Sequence, residues 1–304
     1  MFMMCPSLKS FNVDMPKLKT CQYMFTYCLA LESFNSDLSS LEDGSKLLGG
    51  CKNLKSFNVD LSSLTTAERM LAGTKLSSFN IPVDNLTSAY AMFLGCDALT
   101  SFDSDLSNLT DGRFMFSGCS SLASFNSDLP NLTDGWRMFE DCSSLTSFDS
   151  DLSNLTSGTD MFNGCNSFTS FDSDLPKLTR GSGMFDGCSS LASFDSNLST
   201  VTYGSYMFSG CSSLTSFNSD LNSLTNGNYM FNGCKLDKTS VLNIINCIKT
   251  KNTCSSAVTL TLGIDASLQS DSDILTELGI SSGATSATLS GNGGGTWNIT
   301  IQWN

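Results

Sequence analysis

The sequence predicts an α/β repeat solenoid: a stack of about ten turns of 23 residues, each with one short parallel strand and about one helical turn, ended by a C-terminal α+β cap. Three observations predict it. Cysteine recurs at Cys5, Cys28, Cys51, Cys96, Cys119, Cys142, Cys165, Cys188, Cys211 and Cys234, with Thr74 on the missing rung and one step of 22 residues. Phenylalanine keeps the same step at Phe11, Phe34, Phe57, Phe79, Phe102, Phe125, Phe148, Phe171, Phe194 and Phe217. Leucine runs three residues ahead of it, from Leu8 to Leu214, with Phe168 in one rung. No single repeat can bury such a set alone, so the columns must face one axis and stack.

Within a repeat the strand is read over Leu122–Leu129. The position two after the phenylalanine is Ser in most turns but Val13, Val59 and Ile81 in others, which places it inward, in phase with the phenylalanine. The Ser before Phe, the Asn or Asp after it and the Asp three after it then point outward. On the return side, Thr133–Phe139 offers Asp134 as an N-cap and room for about one helical turn. The column Gly44, Gly112, Gly135, Gly158, Gly181, Gly204 and Gly227 holds Cys21, Ala67 or Ala89 elsewhere. It therefore needs a small residue more than it needs positive φ.

The 23-residue period stops at residue 234, so residues 1–234 are read as the solenoid and 235–304 as the cap. A helix is expected over 239–250, a strand over 258–264, a short helix over 271–279 and a hairpin over 284–304 around the Gly-rich run at 291–295. The last strand alternates Trp297, Ile299, Ile301 and Trp303 on one face. That face either covers the solenoid or packs on another subunit. The first turn starts without a cap, from which a longer or assembled native context is expected.

Composition narrows function. The formal net charge of −13 argues against nucleic acid and anionic membrane as partners and favours cationic partners, neutral glycans or metal ions. Histidine is absent, which removes the commonest general base and transition-metal ligand. No apolar stretch reaches the ~20 residues that span a bilayer, and no signal peptide is visible. The 13 cysteines are spaced for stacking rather than as CxxC metal pairs, and read as small buried thiols, with a Cys247–Cys254 disulfide as an alternative in the cap.

Two surfaces are candidates for binding. On the strand face, Ser101, Asp103, Asp105, Ser124, Asn126, Asp128, Ser147, Asp149, Asp151, Ser170, Asp172 and Asp174 form a small-residue hydrogen-bonding strip. Stacked carboxylates ~5 Å apart repel by ~0.8 kcal/mol per pair in water, so something offsets them. Backbone N–H groups of the following turn, a row of calcium ions at columns such as Asp103 and Asp105, and a basic or amine-bearing ligand are the three readings. On the return side, Arg113, Trp136, Arg137, Tyr203, Tyr206 and Tyr229 vary on a regular frame, as a specific contact surface would. The sequons at Asn85, Asn108, Asn131, Asn154 and Asn298 follow from the repeat itself.

The pattern MFxGCxxLxSFxxDLxxLTxG over residues 1–234 resembles the BspA-like leucine-rich repeats, including the mycoplasma-type surface variant with its MFxxCxxL signature. The segment Ser240–Asn246 followed by Thr259–Gly263 resembles the cap of such repeats in bacterial surface and phage tail proteins. The resemblance implies a leucine-rich-repeat solenoid, a non-enzymatic role in adhesion or recognition of a protein or glycan, no required cofactor, and an extracellular, cell-surface or virion location. A structural, self-assembling solenoid joined through its ends, with Trp297, Ile299, Ile301 and Trp303 at the contact, is the rival expectation.

Overall fold

The computed structural model describes residues 2–304, which form two compact units, residues 2–146 with Ser150–Leu152, and Ser147–Asp149 with Ser153–Asn304. Each unit is a stack of repeat turns, and the second also carries the expected cap. The second unit holds both the later turns and residues 235–304.

In the first unit the strands are β1 (Ser10–Phe11), β2 (Ser33–Asp37), β3 (Ser56–Asp60), β4 (Ser78–Phe79), β5 (Ser101–Phe102) and β6 (Ser124–Phe125). They pair in parallel, with Ser over Ser and Phe over Phe, as β1-β2-β3 and β4-β5-β6. In the second unit β7 (Ser147–Phe148) pairs with β8 (Ser170–Phe171), and β9 (Ser193–Phe194) with β10 (Ser216–Phe217), in the same register. Most strands are shorter than expected, and past the phenylalanine a serine hydroxyl takes the place of a backbone acceptor in two turns. Ser127 Oγ accepts from the Leu106 N–H at 3.1 Å, and Ser219 Oγ from that of Leu198 at 2.9 Å. These inward positions are filled by buried serines, including Ser36, Ser104, Ser127, Ser150 and Ser173, whereas Val13 is 58% exposed. The Ser36, Ser127 and Ser219 hydroxyls bond backbone groups, which a valine cannot do, whereas those of Ser104 and Ser173 have no partner among the described residues.

The core is two stacked aromatic columns in edge contact. In the first unit Phe93, Phe116 and Phe139 stack at 5.4 Å, and Phe79, Phe102 and Phe125 at 5.7 and 5.8 Å. In the second, Phe162, Phe185, Phe208 and Phe231 repeat the pattern at 5.4–5.6 Å. Beside them each buried thiol donates to a carbonyl of the turn before: Cys119 to Phe93 O at 3.2 Å, Cys211 to Phe185 O at 3.1 Å, Cys234 to Phe208 O at 3.2 Å. Thr74 joins the row through Cys96 at 3.4 Å. Cys247 and Cys254 are both free, so the alternative disulfide is not formed.

The return side corrects the expectation of a helical turn. In an α-helix each N–H bonds back to the carbonyl four residues earlier. Here alternate N–H groups leave the turn: Gly44, Lys46, Leu48 and Gly50 donate to Thr66, Glu68, Met70 and Ala72 of the next turn at 2.7–2.9 Å. Between them, Leu47 and Cys51 bond back three residues to Gly44 and Leu48 at 3.1 Å. The path needs two left-handed residues per return, four apart, such as Lys46 (φ 57°) with Gly50 (φ 76°) and Phe114 (φ 57°) with Gly118 (φ 74°). A non-glycine residue there costs about 1–2 kcal/mol, offset by the inter-turn bonds. Asp43, Asp111 and Asp134 cap no helix. Each accepts the N–H two residues on, from Ser45, Arg113 and Trp136 at 2.9–3.2 Å, as an Asx turn.

The small-residue column behaves as its sequence implied. A Cβ on Gly44 would meet Met70 Sδ at 2.8 Å, and none of that column has positive φ. Positive φ belongs instead to the residue just before each repeat cysteine, glycine in most turns but Met4, Tyr27 and Asp141 in others.

The cap contains α1 (Lys238–Thr250), β11 (Val258–Ile264), α2 (Ser272–Leu278), β12 (Ser286–Ser290) and β13 (Thr296–Trp303). Strand β13 lies between β11, parallel, and β12, antiparallel. Strand β11 also continues the return-side ladder: Gly227 and Phe231 donate to Thr259 O at 2.9 Å and Thr261 O at 3.2 Å, and Leu236 to Gly263 O at 3.0 Å. This docking is why the cap does not separate from the turns. Trp297, Ile299 and Ile301 are buried within the chain, and Trp303, half-buried, donates its indole N–H to Ala284 O at 2.9 Å. The face thus covers its own fold, and these residues are not available as an assembly surface.

Candidate interaction site

The strand-face strip is exposed, but several carboxylates along it already have structural partners. Asp37, Asp60 and Asp105 each accept the N–H two residues on, from Ser39, Ser62 and Ser107, at 2.7–2.9 Å. Asp14 accepts the Asp37 N–H of the next turn at 2.9 Å. The bonds from Ser39 hold the Asp37 carboxyl below its ordinary value. In the first unit Asp103, Asp105, Asn126, Asp128 and Asp151 are exposed, Ser124 likewise, and Ser101 is half-buried. In the second, Ser147, Asp149, Asp172 and Asp174 are exposed and Ser170 is half-buried. Among the described residues no three Cys, Asp or Glu side chains gather as a metal-holding group. Asp37, Asp60 and Asp105 thus bond within their own turn, whereas Asp14 and Asp128 accept from the following turn as expected, Asp128 from the Asp151 N–H at 3.3 Å.

The buried cysteines, Cys21 of the small-residue column included, are held as neutral thiols. Burial pushes the Cys21 and Cys51 thiols up to about 12, and burial likewise raises Cys96, Cys119, Cys188 and Cys211. A thiol held neutral is a poor nucleophile and a poor metal ligand.

The return side of the first unit is different. Arg113 and Trp136 follow the small-residue column by one position and Arg137 by two, on backbone fixed by the inter-turn ladder. The structure gathers these three with Arg69, Tyr90 and Phe114. Phe114 packs edge-on against Trp136 at 4.9 Å and against Tyr90 at 5.7 Å. The Arg69 and Arg113 guanidiniums lie over the Tyr90 ring at 5.9 and 5.5 Å, and that of Arg137 over Trp136 and Phe114 at 5.7 and 5.9 Å. Asp111 grips Arg113 with both oxygens at 2.8 Å, and Glu140 lies 3.4 Å from Arg137. Cation and ring therefore alternate across four turns, with the Arg113 and Arg137 guanidiniums also held by carboxylates before any partner arrives.

Tyr203, Tyr206 and Tyr229 lie in the second unit, each about half exposed, with the Tyr206 and Tyr229 rings stacked at 4.8 Å. They are not part of the arginine–aromatic group. Sequence reasoning missed Arg69, Tyr90 and Phe114. The signal was present: all three sit one or two positions after Ala67, Ala89 and Gly112 of the same small-residue column. It was hidden because each turn places a different residue type there.

Comparison with known proteins adds the following. The family model described as BspA type leucine rich repeat region matches in six copies over residues 1–100, 75–169 and 135–257. Comparison with curated proteins gives no match. Among solved structures, a leucine-rich repeat protein from Bacteroides ovatus is similar at 18% identity and TM-score 0.31, covering 85% of this chain and 80% of its own. A leucine rich cell surface protein from Faecalibacterium prausnitzii is similar at 20% identity and TM-score 0.32, covering 72% and 74%. The functional domain of InlJ from Listeria monocytogenes, which includes a cysteine ladder, is similar at 13% identity and TM-score 0.24, covering 97% and 90%. Likeness at this level carries no argument about function. The repeat model spans most of the chain, and with the stacked register of Ser, Phe and Cys it establishes the kinship: the chain belongs to the BspA-type leucine-rich-repeat family.

Proposed function

We propose that this protein is a non-enzymatic recognition module displayed at a bacterial surface, and that it takes hold of a protein partner through the arginine–aromatic group of its first unit. The observation that carries the reading is the cluster of Arg69, Tyr90, Arg113, Phe114, Trp136 and Arg137, mutually stacked and partly exposed on a chain of net charge −13. Trp, Tyr and Arg are the residues that dominate binding energy at protein interfaces. A row of rings and guanidiniums already ordered by one another loses little side-chain entropy on binding. Family membership supports the surface setting. A catalytic reading has little to work with: the chain has no histidine and its repeat thiols are held neutral. The rival reading of end-to-end assembly loses the hairpin face that was to carry it, since Trp297, Ile299 and Ile301 are buried.

The test is attachment of protein-coated fluorescent beads to epithelial cells, with and without prior protease treatment of the cells. Trp136→Ala and Arg137→Ala are each expected to weaken attachment by about 2 kcal/mol, roughly 30-fold, as interface anchors do. Protease treatment is expected to abolish it. Attachment that survives both substitutions, or survives protease, overturns the proposal.

A further inference from the structure

Helix α1 stands where another turn would stack on β10. Its side chains take over the bonds such a turn would supply. Ser240 Oγ accepts the Phe217 N–H at 2.8 Å and donates to Thr215 O at 3.2 Å, and Cys247 Sγ accepts the Leu221 N–H at 3.1 Å. A helix with its side chains is about 10–12 Å across, whereas a stacked strand adds only ~4.8 Å, so α1 rises beside the strand face as a wall. Wall and face enclose a cavity of about 450 Å³, within the ~300–1,000 Å³ of small-ligand sites.

The floor is Asp195 and Asn197 of one turn beside Asn218 and Asp220 of the next, in continuation of the β9–β10 register. Each column there sets a carboxylate next to an amide. A hydroxyl group is donor and acceptor at once, so it can donate to the carboxylate while accepting from the amide N–H of its neighbour. Farther back on the strip the same column is Asp149 and Asp172, which offer acceptors alone. The wall presents Asn243 and Asn246, one helical turn apart and exposed, and the side-chain amides of Asn218, Asn243 and Asn246 have no partner within the described residues. Lys251 Nζ is held by both oxygens of Asp220 at 2.7 and 3.0 Å. A cationic ligand would meet Lys251, an anionic one Asp195 and Asp220. No aromatic ring and little aliphatic surface line the cavity, which disfavours an apolar occupant. We propose that this cavity binds a neutral sugar, gripped along its hydroxyl edge between the Asp/Asn floor and the Asn243–Asn246 wall.

The experiment is isothermal titration and saturation-transfer NMR on the full chain with galactose, mannose, lactose and N-acetylglucosamine, with glucosamine and sialyllactose as charged comparators. At least one neutral sugar should bind, and more tightly than either charged comparator. The double substitution Asn243→Ala with Asn246→Ala, on an exposed helical flank where alanine favours the helix, should weaken binding on the order of tenfold or more while the melting temperature holds. Asn218→Ala should weaken it independently. No neutral sugar bound at its highest soluble concentration, binding untouched by these substitutions, or preference for a charged comparator would each overturn the proposal. Trp136→Ala should leave sugar binding intact, so this inference and the proposed function fail separately.

Discussion

Phe116→Ala is the sharpest test of the stacking argument. Phe116 is fully buried and touches four rings: Phe93 and Phe139 face to face at 5.4 Å, Phe102 and Phe125 edge-on at 5.0 and 5.6 Å. Truncating a buried phenylalanine costs about 3–5 kcal/mol, including the cavity it leaves. Aromatic pairs add ~0.5–1.5 kcal/mol each beyond area, although four pairs sharing one ring do not sum. The expected loss therefore lies at the upper end, about 4–5 kcal/mol. In a stack of turns it should be concentrated near the missing rung rather than spread evenly. Native-state hydrogen exchange reads this directly. The Gly95 and Gly118 N–H groups, bonded to Ser117 O at 2.8 Å and Glu140 O at 2.7 Å, should lose protection by that amount. Phe114→Ala, two residues away on the outer surface, should cost less than ~1.5 kcal/mol. Equal losses for the two substitutions, or a loss under ~1.5 kcal/mol for Phe116, would refute the inward assignment.

Three other outcomes are expected. Gly112→Val should destabilise by about 1–3 kcal/mol, because even a Cβ there meets Met138 Sδ at 2.9 Å; an unchanged denaturation midpoint would contradict the small-residue column. Asn252→Ala should cost about 2–4 kcal/mol, since the buried amide donates to Leu221 O at 2.8 Å and Leu224 O at 3.3 Å and accepts the Cys254 N–H at 2.9 Å, and its loss strands all three groups; chemical denaturation measures it. The thiol row makes stability fall in alkali. A thiol whose folded value is raised to about 12, as at Cys51, stays protonated when the unfolded chain has already ionised near 8.5. The native state then binds more protons than the unfolded one, so stability is whole below pH ~8.5, declines by up to ~1.4 kcal/mol per pH unit for each such thiol, and that contribution is exhausted near the folded value. Melting curves from pH 7 to 10.5 should drop steeply above pH ~9, and a flat profile would show the row to be solvent-accessible.

The split between what was legible in the sequence and what was not follows one physical line. A period of 23 residues names the neighbour above and below every side chain, so the Phe, Leu and Cys columns, the inward serine, the small-residue glycine position and the cap elements could all be read from the chain. Period does not specify the backbone path between columns. Locally, an Asp followed by Gly and a Met-Phe pair suits a short helix; in the stack, alternate N–H groups such as those of Gly44 and Lys46 find carbonyls on the next turn, and this ladder imposes left-handed residues instead. Only that path turns Arg69, Tyr90, Arg113, Phe114, Trp136 and Arg137 into one surface. Likewise, the alternation of Trp297, Ile299 and Ile301 shows an apolar face without showing its occupant, and the cavity beside α1 exists only because a wide helix was set on a narrow strand edge. The sequence determined which residues meet along the stack; the tertiary structure decided what lies across it, because contacts between elements without a shared period depend on the width and path of each element and not on its spacing.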